Sequence, residues 1–388
     1  MSAAGIDSRR AWGVVGAAFA AMFTAFGIAY SYGVFLEELR ADFGAGRALG
    51  AVFFSLTSLL YFGLGSLSGA AADRWGPRRV LFTGAAAFGL GLLATAAAGS
   101  LPVALVAYGL GVGIGVACAY VPMVALVGGW FERRRTLALG VAVAGVGIGT
   151  LTVPPATAAL IEAAGWRDAY VVQGLAATVV LAVCALLVTP APPAPVGTGT
   201  TVAEAARDRS YRWLYLASVL VSVVVFVPFV HLPAYAQERG IDPVAAAGLI
   251  GAIGLASVAG RLALGALAGG AGLLRVFQGC FAAMGLSFGL WAAAGGSYTA
   301  MLAFAAALGV GYGGFVALAP AVVAARFGVA NLGALLGALY TGPGIGSAIG
   351  PPLAGAVVDA TGYGPAIAGS LAVGLVAFAA VLPVRLRG

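Results

Sequence analysis

Arg261 sits in an apolar stretch, residues 244–274, that contains no other charged side chain. Arginine keeps its proton in a protein. Held at bilayer depth, a fixed cation costs roughly 3 to more than 10 kcal/mol. The chemistry open to it is electrostatic: it can hold an anion. Ser257 lies four residues earlier and so on the same helix face. Gly254 and Gly265 extend that face and leave room beside the guanidinium, whose planar fork fits a carboxylate through two hydrogen bonds. The competing reading is an arginine satisfied by backbone carbonyls.

Other groups could assist. His231 is the only histidine. It reads either as a titrating group near neutrality, touching the substrate or carrying a proton, or as a neutral hydrogen-bonding residue. Glu238 is a second candidate proton carrier. Tyr120 and Tyr312, and with them Tyr30 and Tyr340, can donate a hydroxyl to a bound anion or simply pack. No nucleophile–base pair or metal-ligand spacing is visible, so neither an enzyme nor a cofactor is expected.

The elements that must position these residues follow from composition. The chain has 388 residues, 62% hydrophobic and 9% charged, against about 25% charged in soluble domains. All of its Lys+Arg total, 20 residues, is arginine, so no lysine can form a Schiff base. The net charge of +7 comes from arginines in short loops, which argues for a membrane and against nucleic acid as partner. Twelve apolar spans can be marked: 11–36, 48–72, 80–98, 102–128, 137–161, 168–189, 213–236, 243–269, 273–294, 298–325, 333–358 and 363–384. Each is long enough to cross the hydrocarbon core. The divisions on either side of the ninth span are the least marked. Fifteen arginines fall at the termini and in alternate loops on one face, while Arg40, Arg47, Arg167 and Arg239 fall on the other. The crowded face, with both termini, is expected to be cytoplasmic. Trp12, Trp213 and Trp291 lie near span ends and are expected in the interfacial belt.

Residues 190–212, rich in Pro, Gly, Thr and charge, read as a flexible cytoplasmic linker. It would join an N-terminal six-helix half, 1–189, to a C-terminal half, 213–388. The halves repeat. At an offset of 197, Gly145/Gly342, Gly147/Gly344, Gly149/Gly346, Pro154/Pro351 and Pro155/Pro352 fall in register, followed by Glu162/Asp359 and Gly165/Gly362. Such a parallel repeat implies a site at the midplane between halves. Its glycines and prolines either bend helices or allow close packing, and packing is favoured for most.

Residues 69–79, GAAADRWGPRR, resemble the loop signature G-x-x-x-D-R-x-G-R-[KR] of the major facilitator superfamily. The resemblance implies an all-α membrane fold of twelve transmembrane helices in two pseudo-symmetric halves. It also implies a cytoplasmic gate built on Asp73, Arg74 and Arg78, with Pro77 departing from the pattern. The second half has no Asp-Arg pair at the matching place. Residues 130–145, WFERRRTLALGVAVAG, are similar to the monocarboxylate transporter signature Y-F-x-x-R-R-x-L-A-x-G-x-A-x-A-G, with Trp130 for Tyr. Arg134 and Arg135 join the expected gate. Gly260-Arg261 also resembles that family, which places its substrate-binding arginine there. Departures are the span-1 signature, of which only Trp12-Gly13 survives, and Ser257, where relatives set an aspartate.

The resemblance implies a proton-coupled symporter of small monocarboxylates such as lactate or pyruvate, working by alternating access. The expected setting is a bacterial inner membrane, the expected state a monomer. The alternatives are an anion exchanger of the oxalate/formate type or a lipophilic-drug exporter. The span-11 segment holds no basic residue, so one fixed cation suits one carboxylate. An exporter of lipophilic cations would want an acidic residue at depth, and the spans hold none.

Overall fold

The computed structural model describes residues 8–44, 46–131, 134–189, 200–328 and 332–386. Among them every regular element is helical. In chain order the helices are α1 (Arg9–Tyr30), α2 (Tyr32–Phe43), α3 (Arg47–Trp75), α4 (Pro77–Ala96) and α5 (Leu101–Trp130). There follow α6 (Arg135–Ala164), α7 (Trp166–Leu187), α8 (Val202–Arg207), α9 (Arg209–Val225) and α10 (Val227–Gln237). The last five are α11 (Pro243–Ala271), α12 (Leu273–Ala294), α13 (Tyr298–Phe327), α14 (Leu332–Thr361) and α15 (Tyr363–Val381). Among the described residues, 11 segments are long and apolar enough to cross a membrane. Residues Arg9–Phe43 and Arg209–Gln237 each count once, and Ala51–Gly65 in α3 is a shorter apolar stretch. The twelve expected spans thus have their helices, one of them with a reduced apolar segment.

The chain forms two compact units. The first comprises Met1–Ser31 and Leu56–Val196, the second Tyr32–Ser55 and Gly197–Gly388. Both boundaries near the N-terminus fall inside spans: one at the α1–α2 break, the other within α3.

Glycine ends the helices where turns are sharp. Gly76 and Gly272 have φ of +88° and +93°, and Gly165 and Gly362 have +83° and +85°. An L side chain rarely adopts this region. The internal repeat therefore extends to the loops α3–α4 and α11–α12, and α6–α7 and α14–α15. Gly272 and Gly295 supply the two divisions that were least marked in the sequence. Pro77, the departure from the loop signature, stands at the first position of α4, where a missing N–H costs nothing.

The repeat glycines pack. In the first unit a Cβ on Gly145 would strike the carbonyl of Phe19, and one on Gly149 that of Phe23, while Gly27 admits Val153. In the second unit Gly342 faces Tyr215 and Val219, Gly346 the carbonyl of Val219, and Gly350 that of Val223. The α1–α6 seam thus recurs as the α9–α14 seam in the same register.

Two expectations need correction. The end of the 190–212 segment is ordered: Thr201 and Glu204 form a reciprocal capping box that starts α8, the pattern Thr-x-x-Glu being an N-terminal signal. Asp208 then caps α9 through Ser210 and Tyr211. Residues 190–199 lie outside the described ones. Trp291 is not interfacial. It is 1% exposed, stacked on Phe304 at 4.9 Å and edge-on to Tyr235 at 5.5 Å, because α12 turns that face into the second unit.

Candidate functional site

In the second unit, α11 carries Ser257 and Arg261. Asp242 caps it, accepting from the Val244 and Ala245 amides. One face of α11 is drawn hard against α13. A Cβ on Gly260 would strike the carbonyl of Val310, and one on Gly313 that of Ser257. Gly309 likewise faces Ile253 and Ala256. Ser257 is buried, 3% exposed, in this seam, and Arg261, next to Gly260, is half-buried. Gly265, one turn on, is exposed, and an added Cβ there would meet nothing within 4 Å.

Tyr312, half-buried on α13 next to Gly313, has Phe226 and Phe229 edge-on, each at 6.3 Å. Sequence reasoning did not single out either phenylalanine. Phe226 stands at the α9–α10 break, ahead of Pro228 near the start of α10. At an offset of 196 it corresponds to Tyr30, the last residue of α1 before the break at Ser31. The equivalent spans are therefore both interrupted beside an aromatic residue, just after Tyr30 and at Phe226. A proline two residues on was the only sequence signal, and only the second unit has it.

His231, on α10, is 1% exposed. Its Nε2–H donates to the Pro351 carbonyl on α14 at 2.8 Å, since a carbonyl can only accept. The ring thus ties α10 to α14. Glu238 is exposed at the C-cap of α10. Tyr340, on α14, is half-buried.

In the first unit Tyr30 and Tyr120 meet around one ring. Phe26 lies 5.6 Å from Tyr30, 5.2 Å from Tyr120 and 5.8 Å from Tyr61. Of the expected gate residues, Arg74, Arg78 and Arg134 are exposed, and Arg78 lies over Phe82 at 5.9 Å. The side chains of Asp73 and Arg135 lie outside the described residues.

The second unit has its own charged contact near the α13 end. Arg326 donates to Asp208 at 2.6 Å. Partial burial raises the Asp208 pKa, but the Arg326 bond and the Tyr211 and Ser210 amides outweigh it and hold the carboxyl below its usual range.

Comparison with known proteins bears on this arrangement. The family description Major Facilitator Superfamily matches residues 17–276. Monocarboxylate transporter 3 of Rattus norvegicus is 32% identical over 373 residues, covering 91% of this chain and 75% of its own length. Monocarboxylate transporter 11 of Homo sapiens is 30% identical, covering 92% and 79%. A solved bacterial homologue of the human lysosomal transporter Spinster shares the fold, with a TM-score of 0.77 over 96% of each chain at 16% identity. This chain is a multi-pass membrane transporter, not an enzyme, and it belongs to the monocarboxylate transporter family of the major facilitator superfamily.

Proposed function

We propose that the protein moves a small monocarboxylate of the lactate or pyruvate class across a bacterial inner membrane, with Arg261 as the group that holds the carboxylate. One observation carries this: a half-buried guanidinium on an apolar helix, next to a glycine seam that fixes its backbone against α13. Its relatives' names point the same way. Binding an anion neutralises the charge, and that differential interaction lowers the barrier to the loaded, occluded state. Ser257, Tyr312, Tyr120, Tyr30 and Tyr340 are the proposed polar partners. The arginine-rich loops support cytoplasmic termini, and the proposed working unit is a monomer. Asp73, Arg74, Arg78, Arg134 and Arg135 form the proposed cytoplasmic gate.

Proton symport would make transport electroneutral, with His231 or Glu238 as the carrier. One observation favours a second reading, anion exchange of the oxalate/formate type: the His231 ring is already committed to the Pro351 carbonyl. Uptake of labelled lactate into proteoliposomes tests both. Transport should vanish in Arg261→Ala, and normal uptake by that variant would refute the anchor. Accumulation driven by an imposed pH gradient supports symport; counterflow indifferent to pH supports exchange.

A further inference from the structure

A groove of about 430 Å³ opens on the first unit between α3 and α5. Ala72, Val80 and Cys118 form the buried cluster behind it, with Ala71 and Ile114 packed against them. Leu67 and Trp75, both exposed, stand along its length. Ser68 brings a hydroxyl to the floor, but that hydroxyl is spent on the Ala117 and Gly65 carbonyls, at 2.8 and 2.9 Å. The floor is therefore built to take something apolar.

Length and charge narrow the occupant. From Leu64 to Arg74, α3 rises about 15 Å, half of a hydrocarbon core about 30 Å thick. The groove thus runs through one leaflet, toward the arginine-rich face. It carries charge only at that end. Arg74 lines the mouth, is exposed, and makes no hydrogen bond or ion pair among the described residues. Arg78 and Arg79 follow in the first turn of α4. Trp75, beside Arg74, is the kind of ring that settles at headgroup level. A free phosphate would use the arginine and leave the groove empty. A neutral lipid would fill the groove and leave the arginine unmet. A zwitterionic headgroup would bring a cation up to three arginines. An anionic phospholipid satisfies the groove and the charge together.

We propose that the α3–α5 groove seats one acyl chain of an anionic phospholipid, whose phosphate rests on Arg74. The seat concerns the lipid around the carrier, so it holds whichever anion is transported.

Trp75 supplies the reporter. The protein is placed in phosphatidylcholine vesicles containing a small fraction of phospholipid brominated along its chains. The Trp75 signal is the wild-type quenching less that of Trp75→Phe. Brominated phosphatidylglycerol should reach half-quenching at about one-fifth the mole fraction that brominated phosphatidylcholine needs, the share expected of one basic side chain at an anionic surface. Ala70→Phe fills the groove from an exposed position and leaves every arginine in place. It should cancel the preference, and so should Arg74→Gln. Equal quenching by the two lipids in the wild type would overturn the proposal. So would a preference that survives Ala70→Phe, since the arginine loop would then attract anionic lipid without any seat for its chain.

Discussion

Gly313 on α13 lies flat against the carbonyl of Ser257 on α11, and one turn away Gly260 lies as flat against the carbonyl of Val310. The two helices touch backbone to backbone, each supplying the glycine the other needs. A methyl group here has only backbone to push against. Gly313→Ala and Gly260→Ala should each destabilise the protein by about 1–3 kcal/mol, read as a fall in thermal midpoint in detergent. Gly260→Ala should also weaken carboxylate binding more than Gly313→Ala, because it displaces the backbone next to Arg261. Equal loss of binding in both would show that the seam supports the fold alone.

Ligand binding is readable without transport. A carboxylate at a hundred times its Kd should stabilise the wild type by about 2.7 kcal/mol. Across C2 to C5 carboxylates, the thermal shift should be largest for a monocarboxylate and vanish in Arg261→Ala. Arg261→Lys should keep a reduced shift, since an ammonium cannot reproduce the two-pronged bond. A full shift in Arg261→Ala would move the site elsewhere.

His231→Phe keeps most of the ring's volume and deletes the donor to Pro351. The expected loss of stability is about 1 kcal/mol, measured as a lowered midpoint. If pH-driven accumulation survives the change, His231 holds α10 to α14 and carries no proton.

Asp208 gives a pH dependence of stated sign. Its carboxyl is held below the usual value, near 4 for aspartate, by Arg326 and two amides. It therefore contributes stability above the unfolded value, and that contribution disappears as pH falls through the folded one. Thermal midpoints should drop from pH 5 to pH 3 more steeply in the wild type than in Asp208→Asn. Parallel curves would remove Asp208 from the account.

The apolar spans were legible because a residue run either reaches 20 apolar positions or does not, and Arg261 was legible because a charge in such a run has no camouflage. The repeat glycines could be paired by counting, yet which carbonyl each one faces needed the structure. Phe226 and Phe229 stayed hidden for the opposite reason to Arg261: an aromatic residue in an apolar span has no contrast with its neighbours. The Thr201–Glu204 box was present in the sequence and was masked by the prolines and glycines just before it. Ser55 carried no signal at all, because its partner is a backbone carbonyl, that of Ser347, 292 residues away in the chain.

The 29 residues of α3 run unbroken from Arg47 to Trp75. At 1.5 Å per residue, Ser55 and Arg74 are about 28 Å apart on one rod. With no proline inside it, the hydrogen-bond ladder of α3 runs without a gap across Leu56, where the chain passes from one compact unit to the other.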